Sequence, residues 1–218
     1  MEVIQTPIQG VLLVKPKVWG DSRGYFVETW HKERYEAAGI DFPFVQDNHS
    51  KSSYGILRGL HFQRNFPQGK LVSVSLGSVF DVAVDIRKDS PTFGQWYGVE
   101  LTQENQWQLW ISPGLAHGFV VTSDIAHFHY KCTELYHPED EGSIRWNDPE
   151  LGVAWPISAP KLSTKDEAAP LRSCDTNWNR KTLAGPQTPS ESLLTDKMRS
   201  ISKEPPQRRQ GTARPNGE

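Results

Sequence analysis

Apolar positions along this chain recur in short runs, mostly at alternate residues and seldom at helical spacing. Residues 11–14, Val-Leu-Leu-Val, form one such run, closed by Lys15-Pro16-Lys17. A turn cluster over residues 20–24 leads into an aromatic run at 25–30 that predicts a strand. Residues 31–38, closed by Gly39, carry the one convincing helical pattern, and an extended segment over 44–50 turns polar toward its end. Strands are then predicted at close intervals over 56–63, 70–76, 78–86, 94–101, 106–111, 116–121, 126–136 and 143–146. Gly77, Ser90-Pro91, Glu104-Asn105, Pro113-Gly114 and His137-Pro138 punctuate them. Many short strands, one helix and no strand–helix alternation predict an all-β fold. The expected form is a cupin-type jelly-roll barrel or sandwich of antiparallel strands with a few short helices.

Composition changes this picture at one end only. Residues 175–218 hold five prolines and eight Lys+Arg against five Asp+Glu, with few periodic apolar residues. The expectation is a jelly-roll domain over 1–174 and a low-complexity, disordered tail over 175–218. Without the tail, residues 1–174 carry 16 Lys+Arg and 21 Asp+Glu, so cations gathered around a pocket would stand against the domain's net charge. A whole-chain charge of −2 gives no basic field for nucleic acid, and no apolar run approaches the length of a membrane span. Two cysteines, Cys132 and Cys174, make no disulfide framework and fit no zinc spacing, and the N-terminus lacks signal-peptide blocks, so a cytoplasmic protein is expected.

Candidate chemistry centres on Arg58-Gly59-Leu60-His61-Phe62-Gln63. Strand alternation puts Arg58, Leu60 and Phe62 on one face and Gly59, His61 and Gln63 on the other. A titratable ring and an amide along one edge suit the floor of a polar cavity. Arg58 would have to reach that cavity from the start of the strand or depart from simple alternation. Arg23, Arg58 and Lys70 together could clamp a phosphate, and Lys70 could instead stabilise an enolate oxygen. His117 lies between glycines that permit close approach. His127 and His129 share a strand face, but no third ligand stands at a spacing to complete a metal site. Tyr130 points away from His129, and its phenol is a natural proton donor at neutral pH. Asp166, in the loop-like segment 163–166, is a candidate to orient a histidine, without the sequence saying which.

These pieces occur in an order that resembles the dTDP-4-dehydrorhamnose 3,5-epimerases, a cupin-type jelly-roll family. The matching segments are 20–28, 44–50, 57–63, 68–72, 77–87, 90–94, 113–119, 146–149, Trp155-Pro156 and Lys165-Asp166. The resemblance covers residues 1 to about 172. It implies inversion of C3 and C5 of a 4-keto-6-deoxyhexose carried on dTDP, without metal or redox cofactor. By position it implies His61 as base, Asp166 as its dyad partner, Lys70 as enolate stabiliser and Tyr130 as the acid on the opposite face. It further places Arg23, Glu28, Gln46, Asp47, Asn48, Arg58, His117, Glu141 and Lys165 at substrate contacts. It also implies a homodimer with exchanged N-terminal strands, in which Arg23 and Glu28 serve the partner's site.

Three other readings compete. A mono-epimerase acting on C3 or C5 alone would use the same residues. A metal-dependent cupin oxygenase would need a His-x-His pair where this chain has His61 and Gln63, and glutamine is a poor transition-metal ligand. A jelly-roll sugar-binding module would have no need for a base, an acid and an enolate stabiliser together.

Overall fold

A computed structural model of the chain describes residues 1–172. Cys174 and the tail expected over 175–218 lie outside the described residues.

Within them the strands are β1 (Glu2–Gln5), β2 (Val11–Lys15), β3 (Val18–Asp21), β4 (Gly24–Val27), β5 (Gln46–Ser53), β6 (Leu57–Gln63) and β7 (Lys70–Leu76). They continue with β8 (Ser78–Asp85), β9 (Trp96–Thr102), β10 (Gln108–Ile111), β11 (Leu115–Val121), β12 (Ile125–Cys132) and β13 (Glu141–Ser143). Helix α1 (Lys32–Ala37) follows β4, and α2 (Thr164–Glu167) lies near the end. Two antiparallel sheets face each other, a six-stranded one in the order β1-β2-β10-β7-β12-β5 and a five-stranded one in the order β13-β6-β11-β8-β9. This is the two-sheet jelly-roll architecture that the strand pattern predicts.

Alternation within the strands generates three apolar layers. Between the sheets, Val72, Val74, Leu109 and Phe128 of the larger sheet meet Val79, Leu101, Phe119 and Val121 of the smaller. Outside the smaller sheet, Leu60, Phe62, Val82 and Val84 pack against Ile144, Leu151 and Trp155. Outside the larger one, Leu12, Val14, Leu71 and Trp110 are covered by Tyr35 of α1 and by Ile40 and Phe44. Apolar filling of the inter-sheet space stops toward the end where β5, β6, β7 and β12 present polar residues, and a cavity opens there.

Several boundaries differ from the sequence pattern. The helix is shorter than 31–38, with His31 as its N-cap and Ala38 as its C-cap, and Gly39 supplies the positive φ (92°) that ends it. β1 escapes the pattern because it is a half-exposed edge strand with little to bury, paired among the described residues with β2 alone. The turn cluster at 20–24 is the tip of a hairpin whose first strand, β3, runs through Gly20 and Asp21 to pair with β4. Asp21 closes that turn by accepting from the Arg23 amide at 2.8 Å. The strand predicted through Trp30 stops at Val27, because the Thr29 carbonyl leaves the ladder to accept from Tyr35 and Gln108. β12 ends at Cys132 and not at Tyr136, the segment beyond it being tied down by Gln63 and Gln46. β13 lies at Glu141–Ser143, just ahead of the predicted 143–146, and pairs with β6. Residues 163–166 form the start of α2, not a loop.

Candidate active site

The site begins with an irregularity in β6. On β11, His117 pairs with His61 and Phe119 with Arg58, so two steps on one strand match three on the other. His117 and Phe119 share a face of β11, and their partners Arg58 and His61 are thereby brought to one face of β6 as well. Simple alternation, which assigns Arg58 to the face of Leu60 and Phe62, fails at this bulge. Two glycines permit it. Gly59 has φ +131°, and a Cβ there would lie 2.5 Å from Gly118 Cα. The Arg58 side chain is exposed, donates to Ser52 Oγ at 3.0 and 3.2 Å, and lies close enough for its charge to act on Tyr130.

His61 and Asp166, 105 residues apart in sequence, meet with Nε2 to Oδ1 at 2.5 Å. Asp166 is held from behind by Ser163, which caps α2: Ser163 Oγ accepts from the Asp166 amide at 3.1 Å and donates to Oδ2 at 2.7 Å. Burial alone would raise the Asp166 carboxyl, but the hydrogen bonds from His61 and Ser163 outweigh it and hold the group below the usual carboxylate range. Asp166 is therefore an anion at neutral pH, suited to fix the imidazole and to support it when it takes a proton. Ser163→Ala removes both contacts. We expect a loss of about 1 kcal/mol in thermal stability and a fall in kcat of about tenfold from a less well-oriented imidazole, measured by melting and steady-state assay.

A cavity of about 290 Å³ lies in front of the dyad, lined by Gln46, Asn48, His61, Phe62, Gln63, Gln68, Lys70, Tyr130, Tyr136 and Glu141. His61 enters it from the smaller sheet, whereas Lys70 on β7 and Tyr130 on β12 enter from the larger sheet opposite. Burial depresses the Lys70 ammonium, an effect opposed by Cys132, Asp81 and Glu141 nearby. Burial raises the Tyr130 phenol, so it remains a proton donor at neutral pH. An imidazole on one wall, a phenol on the other and an amine beside the phenol are the groups that can move a proton from one face of a carbon to the other.

The remaining expected contacts do not all reach the cavity. Gln46 and Asn48 project from β5 into the cavity, with Gln46 Nε2 donating to Asn48 Oδ1 at 3.1 Å. Glu141 lines it too, paired with Lys165 and accepting from Tyr136 Oη at 2.8 Å. His117 lies behind the wall, buried, with Nε2 at 2.9 Å from Asp81 Oδ2. Gln63 lines the cavity, but its amide is committed to the backbone of the surrounding loops: it donates to the carbonyls of Phe66 and Leu135 and accepts from the amide of His137. It shapes the wall rather than offering free donors. Asp47 points to the outer face of the larger sheet, where it pairs with Lys131 at 2.9 Å. Arg23 and Glu28 are also away from the cavity. Arg23 sits at the exposed β3–β4 tip bonded to Asp21, and Glu28 is paired with Arg34 at 2.6 Å.

Four participants escaped the sequence reading. Gln68 comes from a loop without periodic signal, Tyr136 sits past the true end of β12 in a stretch that the pattern reads as strand, and Asp81 is an inward polar residue in an apolar strand. The Ser163-x-x-Asp166 spacing is a capping pattern and was readable. His49 joins His127 and His129 on the outer face, where cross-strand pairing sets it opposite His129.

A two-sheet jelly roll with facing proton donor and acceptor groups defines a cupin-type proton-transfer enzyme. Comparison narrows that class: the family model described as dTDP-4-dehydrorhamnose 3,5-epimerase matches residues 5–173, and the chain belongs to this family of isomerases. The chain is 58% identical to the dTDP-4-dehydrorhamnose 3,5-epimerase of Salmonella typhimurium over 174 residues, covering 78% of this chain and 95% of that protein. With the corresponding Escherichia coli enzyme it shares 53% identity over 170 residues, covering 77% and 92% of the two chains. Among solved structures it is similar to the dTDP-6-deoxy-D-glucose-3,5-epimerase of Legionella pneumophila in complex with dTDP-4-keto-L-rhamnose. The TM-score there is 0.76 at 55% identity, covering 78% of this chain and 92% of that one.

Proposed function

We propose that this chain converts dTDP-4-dehydro-6-deoxy-D-glucose to dTDP-4-dehydro-L-rhamnose by inverting C3 and C5. The observation that carries the reading is the opposition of the His61–Asp166 dyad on one sheet to Tyr130 and Lys70 on the other. C3 and C5 both flank the C4 ketone, so one site can serve both carbons by successive enolisation. His61 removes the proton α to the ketone, and the electron pair of the broken C–H bond moves onto the C4 oxygen. Lys70 stabilises that enolate oxygen. Tyr130 returns a proton to the opposite face of the carbon as the ketone re-forms, and exchange with solvent restores both groups. The ketone itself accepts the electron pair, so this chemistry calls for no metal or redox cofactor.

Gln46, Asn48, Arg58, Glu141 and Lys165 are assigned to substrate binding, with Arg58 at a position suited to the diphosphate, whereas His117, behind the wall, is assigned to supporting it. The Salmonella and Legionella relatives favour double inversion by their names. Incubating the protein with dTDP-4-dehydro-6-deoxy-D-glucose and resolving the product by proton NMR tests the assignment. The L-configured 4-keto sugar is expected, and a product inverted at one carbon, or unchanged substrate, would contradict it. The two-cysteine composition supports a cytoplasmic setting.

The working form proposed is a homodimer with exchanged N-terminal strands. The support is the β3–β4 hairpin, which forms a separate two-stranded sheet and exposes Trp19 (45%), Tyr25 (56%) and Phe26 (67%) around Arg23. Arg23 and Glu28 then complete the site of the other protomer. Arg23→Ala and His61→Ala are each expected to be nearly inactive alone. Co-expressed, they are expected to recover activity, because a mixed dimer contains one site with both residues intact. Absence of recovery in isolated mixed dimers would place Arg23 in its own protomer's site or outside catalysis.

A further inference from the structure

His49, His127 and His129 form a contact cluster on the outer face of the six-stranded sheet, away from the cavity. His49 Nε2 and His127 Nδ1 are 3.1 Å apart. The His49 and His129 rings are stacked, with centroids 4.3 Å apart and planes within 6°, and His129 Nε2 is 2.7 Å from Ser75 Oγ. The nitrogen–nitrogen contact requires one partner to donate and the other to accept, so it exists only while at least one of the two rings is neutral. Doubly protonated, the pair would set N–H against N–H and the stack would set cation on cation.

Among the described residues, no carboxylate on this face is free to compensate. On the same face β5 contributes Asp47 and Lys51, and β12 contributes Lys131. Both Asp47 oxygens are engaged by Lys131 Nζ at 2.9 and 3.0 Å, and Lys51 stands opposite His127. β7 contributes only neutral groups there, Leu71, Ser73 and Ser75, and the adjoining groove adds neutral Gln106 and Gln108. Burial and the two neighbouring rings push the His129 imidazole below its ordinary value. Its contribution to stability is therefore present above the usual histidine range and is lost as pH falls through and below it.

The cluster joins β5 to β12, and among the described residues β5 is the sheet edge, hydrogen-bonded to β12 alone. The opposite face of β5 carries Gln46 and Asn48 in the cavity and Ser52, which holds Arg58. We infer that His49, His127 and His129 are positioning residues for substrate, a clamp that fixes the edge strand β5 at neutral pH and releases it in acid. The inference rests on the proposed function in assigning Gln46, Asn48 and Arg58 to the nucleotide sugar.

The test compares the full-length wild type with the His127→Gln/His129→Leu variant at pH 7.5 and 5.5. Hydrogen exchange of peptides covering β5, corrected for intrinsic rate, should accelerate about tenfold on acidification in the wild type and hardly change in the variant. The Kd of dTDP, measured by calorimetry, should rise about fivefold more in the wild type than in the variant. Any pH effect of the diphosphate and of the cavity itself is common to both proteins and cancels in that comparison. His127→Gln alone, which removes the 3.1 Å contact and the His127 ring but leaves the His49–His129 stack, should give intermediate behaviour and serves as the second variant. Parallel exchange and binding profiles in wild type and variants would overturn the clamp. The exchange difference without dTDP binding at any pH would uphold the clamp and contradict the nucleotide-sugar reading instead.

Discussion

Replacing His61 with alanine is expected to lower kcat by about 10³–10⁴-fold while dTDP binding changes little. A positioned general base contributes about 10²–10⁴-fold, and the groups around His61 are poorly suited to substitute: Glu141 is already committed to Lys165 and Tyr136. Asp166 is held low and accepts from Ser163 as well as facing His61, so it lacks the basicity to remove a carbon-bound proton. His117 is buried against Asp81 behind the wall and does not line the cavity. Lys70 approaches from the other sheet, and Tyr130 remains protonated. The nucleotide is assigned to other residues, so calorimetry with dTDP separates the two effects. Equal loss of binding and turnover would instead favour a sugar-binding module in which His61 only shapes the pocket.

Gly59→Ala should be the most disruptive small substitution in the site. A φ of +131° is a conformation that residues with a Cβ rarely adopt, at a cost of about 1–3 kcal/mol. The new methyl would also lie 2.5 Å from Gly118 Cα and 2.9 Å from the His117 carbonyl oxygen, both backbone atoms that cannot turn aside. Together these predict a loss of about 3 kcal/mol or more, a fall of roughly 6–12 °C in melting temperature for a domain of this size. Activity should fall further than stability. The bulge is what brings Arg58 and His61 to one face, and displacing a catalytic group by about 1 Å costs on the order of 100-fold. A variant that melts and turns over like the wild type would show that the bulge does not set the site's geometry.

Much of the fold was legible because strands buried on one face alternate visibly. The sandwich, the single substantial helix and most strand positions follow from that signal. What alternation cannot see is where it breaks. The Arg58–His61 bulge depends on Gly59 and Gly118 meeting across two strands, and a linear pattern contains no term for that contact. Gln46 and Asn48 reach the cavity while Asp47 between them turns to Lys131, a consequence of alternation that a list of contact positions does not carry. The dyad is the clearest case of divided information. His61 stood out as a polar residue on a strand face, whereas its link to Asp166 across 105 residues came from family resemblance and is now a 2.5 Å contact. Gln63 was legible as a cavity residue, but the loops that consume its amide were not, because the pattern runs the strand on to residue 136 where the chain has already turned away. The same holds for His49, which joins His127 and His129 only through the β5–β12 register.

The central claim is that one site abstracts and returns protons on both carbons beside the ketone. Incubation with dTDP-4-dehydro-6-deoxy-D-glucose in D2O, followed by NMR, tests it directly. The account predicts deuterium at both C3 and C5 in the product. Incorporation at only one carbon, or none at either during turnover, would contradict it.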